Sequence, residues 1–130
     1  MISLSKEVAD KFARALRKLE EDRDVEALVA IHTEDCDVGN VAVSKTFSGH
    51  EGLREFWTGY RNTFAEMKSE FHNVFADDAG RAALEWTTEG TSDGNTVSYD
   101  GVSLLEIKGD KISRFRAYFD PRRLTEQLVN

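Results

Sequence analysis

The chain has 130 residues, a formal net charge of −7 and a 40% share of hydrophobic residues. This length suits a single domain with its own core, and we expect residues 1–130 to form it. The acidic balance argues against a nucleic-acid surface, which needs clustered basic residues. No apolar run has the length of a membrane span or the position of a signal peptide. The single cysteine, Cys36, excludes an internal disulfide and favours a cytoplasmic location.

The N-terminal third of the sequence predicts two helices. Val8, Phe12 and Leu16 recur at helical spacing, which predicts a long first helix beginning after a capping serine. Asp24 is suited to cap a shorter second helix. The segment Thr33-Glu34-Asp35 is predicted to form the turn that follows. We therefore expect a helical hairpin at this end of the chain.

The middle of the sequence predicts an extended arm and a third helix. Between Asp37 and Phe47, apolar residues are spaced by small polar ones, which predicts two short strands or an extended arm. The run Ser48-Gly49-His50-Glu51 matches a capping box and opens the third helix. The apolar stripe of that helix consists of Leu53, Phe56, Trp57, Tyr60 and Phe64. Such a stripe is typical of a core, and its rings are also suited to cover a ligand cavity.

The second half of the sequence predicts only strands. Turn residues separate four apolar-polar alternating segments, which we place at residues 68–76, 81–91, 96–107 and 112–120. Consecutive hairpins of this kind form an antiparallel meander, with one face free to pack on helices. Helices followed by strands define an α+β fold.

The alternation predicts which strand residues face the core. In the last strand, Phe115 and Phe119 point inward with Ala117 between them. The outward residues of that strand are Arg114, Arg116 and Tyr118. The alternation is ambiguous around Gly101, where a bulge would turn Asp100 inward and regular pairing would leave its carboxylate in water.

Three segments of the sequence carry a family resemblance. They are D-V-E-A-L-V-A from Asp24, G-H-E-G-L-R-E-F-W from Gly49 and G-D-K-I-S-R-F-R-A-Y-F-D from Gly109. With the spacing between them, the chain resembles the SnoaL-like branch of the nuclear transport factor 2 superfamily over nearly its whole length. The resemblance implies a cone of curved antiparallel sheet packed on three helices of the N-terminal half. It also implies an internal cavity and homodimers formed through the outer sheet face.

The superfamily includes ketosteroid isomerases, and their functional positions can be compared with this sequence. Asn40 stands where those enzymes keep a general-base aspartate, and Leu16 stands at their oxyanion-hole tyrosine. Their second oxyanion donor, a protonated aspartic acid, falls at Asp100, and supporting tyrosines fall at His32 and Trp57. An amide cannot abstract a proton as a carboxylate does. The standard isomerase mechanism is therefore not expected.

Two other branches of the superfamily lead to similar comparisons. Limonene epoxide hydrolases need an arginine that bridges two aspartates, and this sequence has Trp86, Thr88 and Ala117 on the matching strands. Epoxide hydrolysis by that device is therefore not expected. Polyketide cyclases use an acidic residue as acid or base, for which Asp100 and Asp120 are the candidates. Because one fold serves so many reactions, the resemblance does not select one.

We predict a small-molecule pocket whose walls are Phe12, Leu16, Phe56, Trp57, Tyr60, Trp86, Phe115 and Phe119. Asn40 and Thr88 would supply polar contacts to a hydrophobic, carbonyl-bearing ligand. If the protein is catalytic, we expect cofactor-independent proton transfer of the isomerase, cyclase or dehydratase type. Asp100 would then act as acid or hydrogen-bond donor, because an inward carboxyl group in an apolar cavity has a raised pKa. His32 would act beside it as acid or base.

The alternative prediction is a non-catalytic dimeric binding or assembly module whose large residues fill the cone. In either case Arg114, Arg116 and Tyr118 would lie on the dimer surface, where arginine and tyrosine are enriched. The histidines lack the spacing of a metal site, and no nucleotide-binding motif is present. We therefore expect no metal, no cofactor, no nucleic-acid partner and no membrane partner.

Overall fold

The computed structural model describes residues 3–128, which form an α+β fold with one curved, unclosed sheet. The helices are α1 (Leu4–Asp22), α2 (Glu26–Val29), α3 (Gly49–Asn62) and α4 (Pro121–Leu128). The strands are β1 (His32–Asn40), β2 (Phe47–Ser48), β3 (Glu66–Ala76), β4 (Arg81–Ser92), β5 (Asn95–Lys108) and β6 (Lys111–Phe119). The six-stranded sheet has the order β2-β1-β6-β5-β4-β3. The α+β fold class predicted from the sequence is confirmed.

The sheet is mixed rather than wholly antiparallel. The predicted meander is present in β3 to β6, but β1 pairs with β6 in parallel, with Val38 opposite Phe115. The two strands are far apart in sequence, so helices and the meander make the connection that a parallel pair requires. This pairing places β6 near the centre of the sheet. Helix α4, which covers the end of β5, was not predicted.

The N-terminal helices follow the predicted stripe, but the segment after them does not. The Ser3 hydroxyl accepts a hydrogen bond from the Lys6 backbone N–H, and α1 buries Phe12 and Leu16. Residues Thr33–Asp35, predicted as a turn, lie instead inside β1. The reason is tertiary: the strand begins at His32 because its backbone there pairs with β6.

Of the two arrangements that the sequence left open at Gly101, the structure has regular pairing without a bulge, and β5 keeps one facing throughout. The β4–β5 register runs without a shift from the pair Arg81–Glu106 to the pair Ser92–Asn95. Gly101 lies opposite Trp86, and a Cβ atom added to it would come within 2.5 Å of the indole Cζ2. Glycine is therefore required here by the close approach of the indole ring rather than by a change of facing.

One face of the sheet, which we call the inner face, packs against α1 and α3. Rings from both helices and from β6 meet there. The ring centroids of Trp57 and Phe115 are 5.0 Å apart, and those of Phe12 and Phe115 are 5.5 Å apart. Edge-on and tilted contacts of this kind add to the stabilisation from area burial. The opposite face of the sheet, the outer face, carries most of the charged strand residues.

Candidate functional site

An inner cavity of about 30 Å³ lies between the two long helices and the inner face of the sheet. Its lining is Phe12, Leu16, Asn40, Phe56, Trp57, Tyr60, Ser69, Trp86, Thr88, Ser103, Phe115, Ala117 and Phe119. The structure thus brings together every wall residue that the sequence predicted, as well as Asn40 and Thr88. A water molecule needs about 10–15 Å³ measured in this way, so the cavity has room for about two. The aromatic side chains fill most of the cone.

A wider depression on the surface lies next to this cavity. We call it the vestibule; it has a volume of about 490 Å³. Four residues line both spaces, namely Asn40, Phe56, Tyr60 and Phe119. The vestibule is otherwise bordered by Ala42, Val43, Phe47, Glu55, Gly59, Thr63, Phe64 and Leu124. The vestibule and the inner cavity are therefore adjacent, with these four side chains between them.

A chain of hydrogen-bonding side chains, which we call the hydroxyl chain, runs along the base of the inner cavity. It begins at Glu20 on α1, whose Oε1 accepts a hydrogen bond from the Ser69 backbone N–H over 3.1 Å. The Ser69 and Thr88 hydroxyl oxygens are 2.6 Å apart. Thr88 in turn hydrogen-bonds to Tyr60, and the Tyr60 hydroxyl hydrogen-bonds to that of Tyr99. Five elements, α1, β3, β4, α3 and β5, thus contribute one member each.

Burial changes the acidity of the groups in the hydroxyl chain. The pKa of Tyr60 is raised well above its ordinary value, first by desolvation and then by Tyr99. Desolvation also raises the pKa of Tyr99 to about 12, so both phenols are neutral at physiological pH. Burial raises the pKa of Glu20 as well, against the lowering effect of its hydrogen bonds to Ser69. The chain therefore holds neutral hydroxyl groups next to a carboxyl group that is costly to ionise.

Both tryptophans of the cavity wall carry a buried indole N–H. That of Trp86 donates to the Ser103 hydroxyl over 2.9 Å. That of Trp57, a residue only 4% exposed, has no hydrogen-bond partner among the described residues. Asn40, at the junction with the vestibule, accepts a hydrogen bond from the Ala42 backbone N–H, and its side-chain NH₂ is available to a ligand. An unpaired buried donor is a site where an acceptor is favoured.

Asp100, predicted as the catalytic acid, is not in the cavity. Its side chain is exposed on the outer face and accepts a hydrogen bond from the Thr87 hydroxyl over 2.6 Å. The same hydroxyl lies 2.7 Å from Nε2 of His72. Because β5 has no bulge at Gly101, the even-numbered residues around it point outward. Of the two facings that the sequence left open for Asp100, the structure has the outward one, so the acid role predicted for an inward carboxyl group loses its premise.

His32 is buried but lies away from the cavity lining. It starts β1, and its Nδ1–H donates to the Leu28 backbone carbonyl over 2.7 Å. Desolvation lowers the pKa of His32 to about 4, so the ring is neutral near pH 7. Its Nε2 has no partner among the described residues. The structure does not bring His32 and Asp100 together, since one is in the core and the other on the outer face.

Several residues of the site were missed by reasoning from the sequence. Ser69 lies opposite Thr88 in the β3–β4 register, and Tyr99 and Ser103 share the buried facing of Leu105 on β5, so alternation was the signal for them. Glu20 follows Leu16 by four residues, so it continues the buried stripe of α1. A carboxylate on that stripe was the signal for a buried acid.

The chemistry of the lining is that of hydrogen bonding inside an apolar space. Within residues 3–128, the side chains around the inner cavity include hydroxyl, amide and indole groups but no carboxylate, imidazole or thiol. The same part of the chain contains no group of three metal-ligating side chains placed to hold an ion. Among its helices, none is both long and apolar enough to cross a membrane.

Comparison with known proteins identifies the family. The model of the SnoaL-like domain matches residues 11–115. The chain therefore belongs to the SnoaL-like domain family. Among curated proteins, no sequence matches it.

Solved structures show the same fold at low sequence identity. TerC, co-crystallized with polyporic acid, is 21% identical with a TM-score of 0.83, over 98% of this chain and 100% of TerC. An NTF2-like protein of unknown function from Burkholderia pseudomallei is 15% identical with a TM-score of 0.85, over 99% and 100% of the two chains. A protein of ketosteroid isomerase-like fold from Catenulispora acidiphila, in complex with trimethylamine, is 15% identical with a TM-score of 0.80, over 93% and 91%. These likenesses support the fold alone.

Proposed function

We propose that this protein binds a small hydrophobic molecule that carries one hydrogen-bonding oxygen. The apolar part of the ligand occupies the vestibule, and the oxygen enters the inner cavity near Tyr60 and Asn40. The observation that carries the proposal is that Asn40, Phe56, Tyr60 and Phe119 line both spaces. The vestibule volume of about 490 Å³ lies in the usual range for ligand sites.

The chemistry of the site supports binding more than acid-base catalysis by the predicted residues. Asp100 and His32 both lie outside the cavity lining. The lining is mostly apolar, with a few hydroxyl and amide groups, which is the composition expected of a site that orients a neutral ligand. Relatives of the same fold bind polyporic acid and trimethylamine, which is in keeping with a small organic ligand.

The role of the vestibule in ligand binding can be tested by a substitution at Gly59, where a larger side chain has room. A Cβ atom added to Gly59 meets nothing within 4 Å, and Gly59 lies on α3 at the wall of the vestibule. Gly59→Phe should therefore fill the vestibule without disturbing the core, and Gly59→Ala is the matched control. The probes are acetophenone, which has one carbonyl oxygen, and ethylbenzene, which has almost the same shape and none.

We expect the wild-type protein and Gly59→Ala to bind acetophenone more tightly than ethylbenzene, as measured by calorimetry and by tryptophan fluorescence. Gly59→Phe should weaken acetophenone binding by about tenfold or more, the equivalent of about 1.4 kcal/mol. Its melting temperature should not fall, since replacing glycine in an exposed helix favours the helix. Equal affinity of wild type and Gly59→Phe for acetophenone would contradict the proposal.

The second candidate function is that of a non-catalytic dimeric binding or assembly module whose large side chains fill the cone. It is favoured by the inner cavity volume of about 30 Å³ and by exposed apolar residues on the outer face, Phe75, Leu104 and Tyr118. Under this proposal the outer faces of two copies form a homodimer. Leu104→Glu should then shift the protein to monomers in sedimentation experiments. Val43→Glu, at a residue of similar exposure but beside the vestibule, should leave the oligomeric state unchanged. Identical behaviour of the two variants would count against the dimer.

A further inference from the structure

The hydroxyl chain has a carboxyl group at one end and the ligand site at the other. Glu20 is only 5% exposed although it carries an ionisable group. Its Oε1 is hydrogen-bonded to Ser69, while its Oε2 is buried without a partner among the described residues. Tyr60, Ser69 and Thr88 line the inner cavity, so the chain ends where the ligand would bind.

The direction of hydrogen bonding along such a chain depends on its terminal group. Each hydroxyl donates one hydrogen bond, and an ionised carboxylate only accepts. The Ser69 hydroxyl hydrogen-bonds to the Glu20 carboxyl group in addition to the Ser69 backbone N–H. With Glu20 ionised, this hydroxyl donates to Glu20, Thr88 donates to Ser69 and Tyr60 donates to Thr88. The hydroxyl of Tyr60 then offers only lone pairs to the cavity.

The neutral acid reverses this order. Its O–H donates to the Ser69 hydroxyl, Ser69 donates to Thr88 and Thr88 donates to Tyr60. The Tyr60 oxygen then accepts from Thr88 and from the Tyr99 O–H, so the Tyr60 O–H can donate into the cavity. Neighbouring hydrogen bonds polarise one another in the same direction, which favours the two ordered arrangements over mixed ones.

We propose that Glu20 determines the ligand specificity of the pocket, because its protonation state sets the direction of the hydroxyl chain. In the neutral state, Tyr60 donates to an acceptor oxygen such as a ketone carbonyl. In the ionised state, Tyr60 accepts from the O–H of a ligand such as an alcohol. This inference rests on the proposed function, and it names the chemical class of ligand that each state selects.

The surroundings of Glu20 act in opposite directions on its carboxyl group. Arg17, on the same helix, and Arg61, on α3, both favour the ionised form. The Arg61 guanidinium is itself held by backbone carbonyls, including that of Glu20 over 3.1 Å. Burial opposes both arginines and outweighs them, so the pKa of Glu20 is raised. The buried tyrosines, Tyr60 and Tyr99, are neutral neighbours.

The proton that distinguishes the two states has a route to water. Glu20 and Ser69 also border a surface groove between α1 and β3. Protonation therefore takes one proton from solvent at the groove and forms one O–H bond on the carboxyl group. No other bond is formed or broken, since the hydroxyl groups only rotate.

The decisive variant is Glu20→Gln, because an amide reproduces the neutral acid. Its carbonyl oxygen can accept from the Ser69 N–H, and its NH₂ group can donate to the Ser69 hydroxyl at every pH. Ser69→Ala is a second variant, which interrupts the chain and keeps the backbone hydrogen bond to Glu20. Glu21→Gln, an exposed neighbour on the same helix, is the matched control for the change in charge.

Acetophenone affinity is measured from about pH 4, near the ordinary pKa of a glutamate, to about pH 9, with ethylbenzene as the reference without oxygen. We expect wild type and Glu21→Gln to lose about tenfold in acetophenone affinity as the pH rises, roughly the effect of one neutral hydrogen bond. Ethylbenzene affinity should not change. Glu20→Gln should keep the tight binding at every pH, and Ser69→Ala should show no pH dependence. A wild-type pH profile in Glu20→Gln, or a flat profile in wild type, would overturn the proposal.

A measurement without ligand separates this proposal from the proposed function. The ¹³C shift of the Tyr60 ring carbon that bears the hydroxyl should change with pH together with the carboxyl carbon of Glu20 in wild type. It should not change over that range in Glu20→Gln or Ser69→Ala. If these shifts behave as expected but no probe binds, the proposed function fails and the hydroxyl chain stands. If Tyr60 does not follow Glu20, the present inference fails whatever binds.

Discussion

The two faces of the sheet are formed by the same strands, but one is buried against the helices and the other is exposed. On the inner face, Trp86 and Thr88 of β4 are buried among aromatic rings and hydroxyl groups. On the outer face, Thr87 of the same strand joins Asp100 and His72 in an exposed hydrogen-bonded row. Thr87 and Thr88, although adjacent in sequence, therefore lie in an exposed polar row and in a buried cavity wall, respectively. The carboxyl and imidazole groups that the sequence suggested as catalytic, those of Asp100 and His32, lie outside the cavity lining. The polar groups that do line it are hydroxyl, amide and indole groups.

The largest effect we expect concerns His32, a titratable residue buried in the core. Its folded-state pKa of about 4 lies below the ordinary value of 6.5, so the unfolded chain binds the proton first as the pH falls. The stabilisation from neutral His32 is complete above about pH 6.5 and is lost progressively toward about pH 4. The loss is on the order of 3 kcal/mol.

Urea unfolding at several pH values measures this loss. The comparison is with His32→Phe. This variant lacks the titrating imidazole at position 32 and keeps every other titratable group. Wild type should lose about 3 kcal/mol more than the variant between about pH 7 and about pH 4. Parallel pH profiles would mean that His32 is solvated in the folded protein.

The next effect concerns the close packing of Trp86 on β5. A Cβ atom at Gly101 would lie 2.5 Å from the Trp86 ring and 2.6 Å from the backbone oxygen of Tyr118. Gly101→Ala should therefore lower the free energy of unfolding by about 2–3 kcal/mol, as overpacking does. Gly59→Ala, in open space on a helix, should raise it by up to about 1 kcal/mol. Equal stabilities of the two variants would show that β5 is not held as described.

The smallest expected effect comes from a pair of matched threonine substitutions, one on each face of β4, which tests the assignment of the faces directly. Thr88→Val removes a hydroxyl that is hydrogen-bonded to Ser69 in the buried chain, and we expect a loss of about 1–2 kcal/mol. Thr87→Val makes the same change one residue earlier, on the outer face, and should alter stability by less than about 0.5 kcal/mol. Thermal unfolding of both variants gives the comparison. A larger loss for Thr87→Val would reverse the assignment of the faces.

Much of the fold and of the cavity wall could be predicted from sequence, because they depend on periodicity. The stripe of α1 and the alternation of β4 and β6 identified residues such as Phe12, Trp86 and Phe119 as cavity wall. The failures depend on tertiary contacts that no local pattern specifies. The parallel pairing of β1 with β6 drew His32 into a strand, and the Trp86 ring required the glycine at Gly101 that had suggested a bulge. Glu20 was missed although it continues the stripe of α1.

The contact between α4 and β5 has a consequence for how the protein behaves at high concentration. Strand β5 extends beyond β6, which pairs only with its residues from Gly101 onward. On the remaining edge, the Gln127 amide accepts from the Ser98 N–H over 2.7 Å and donates to the Ser98 carbonyl over 2.8 Å. A single side chain thus takes the place of a neighbouring strand. Because unpaired strand edges recruit other chains, the last helix covers backbone groups that would otherwise be open to pairing with another copy.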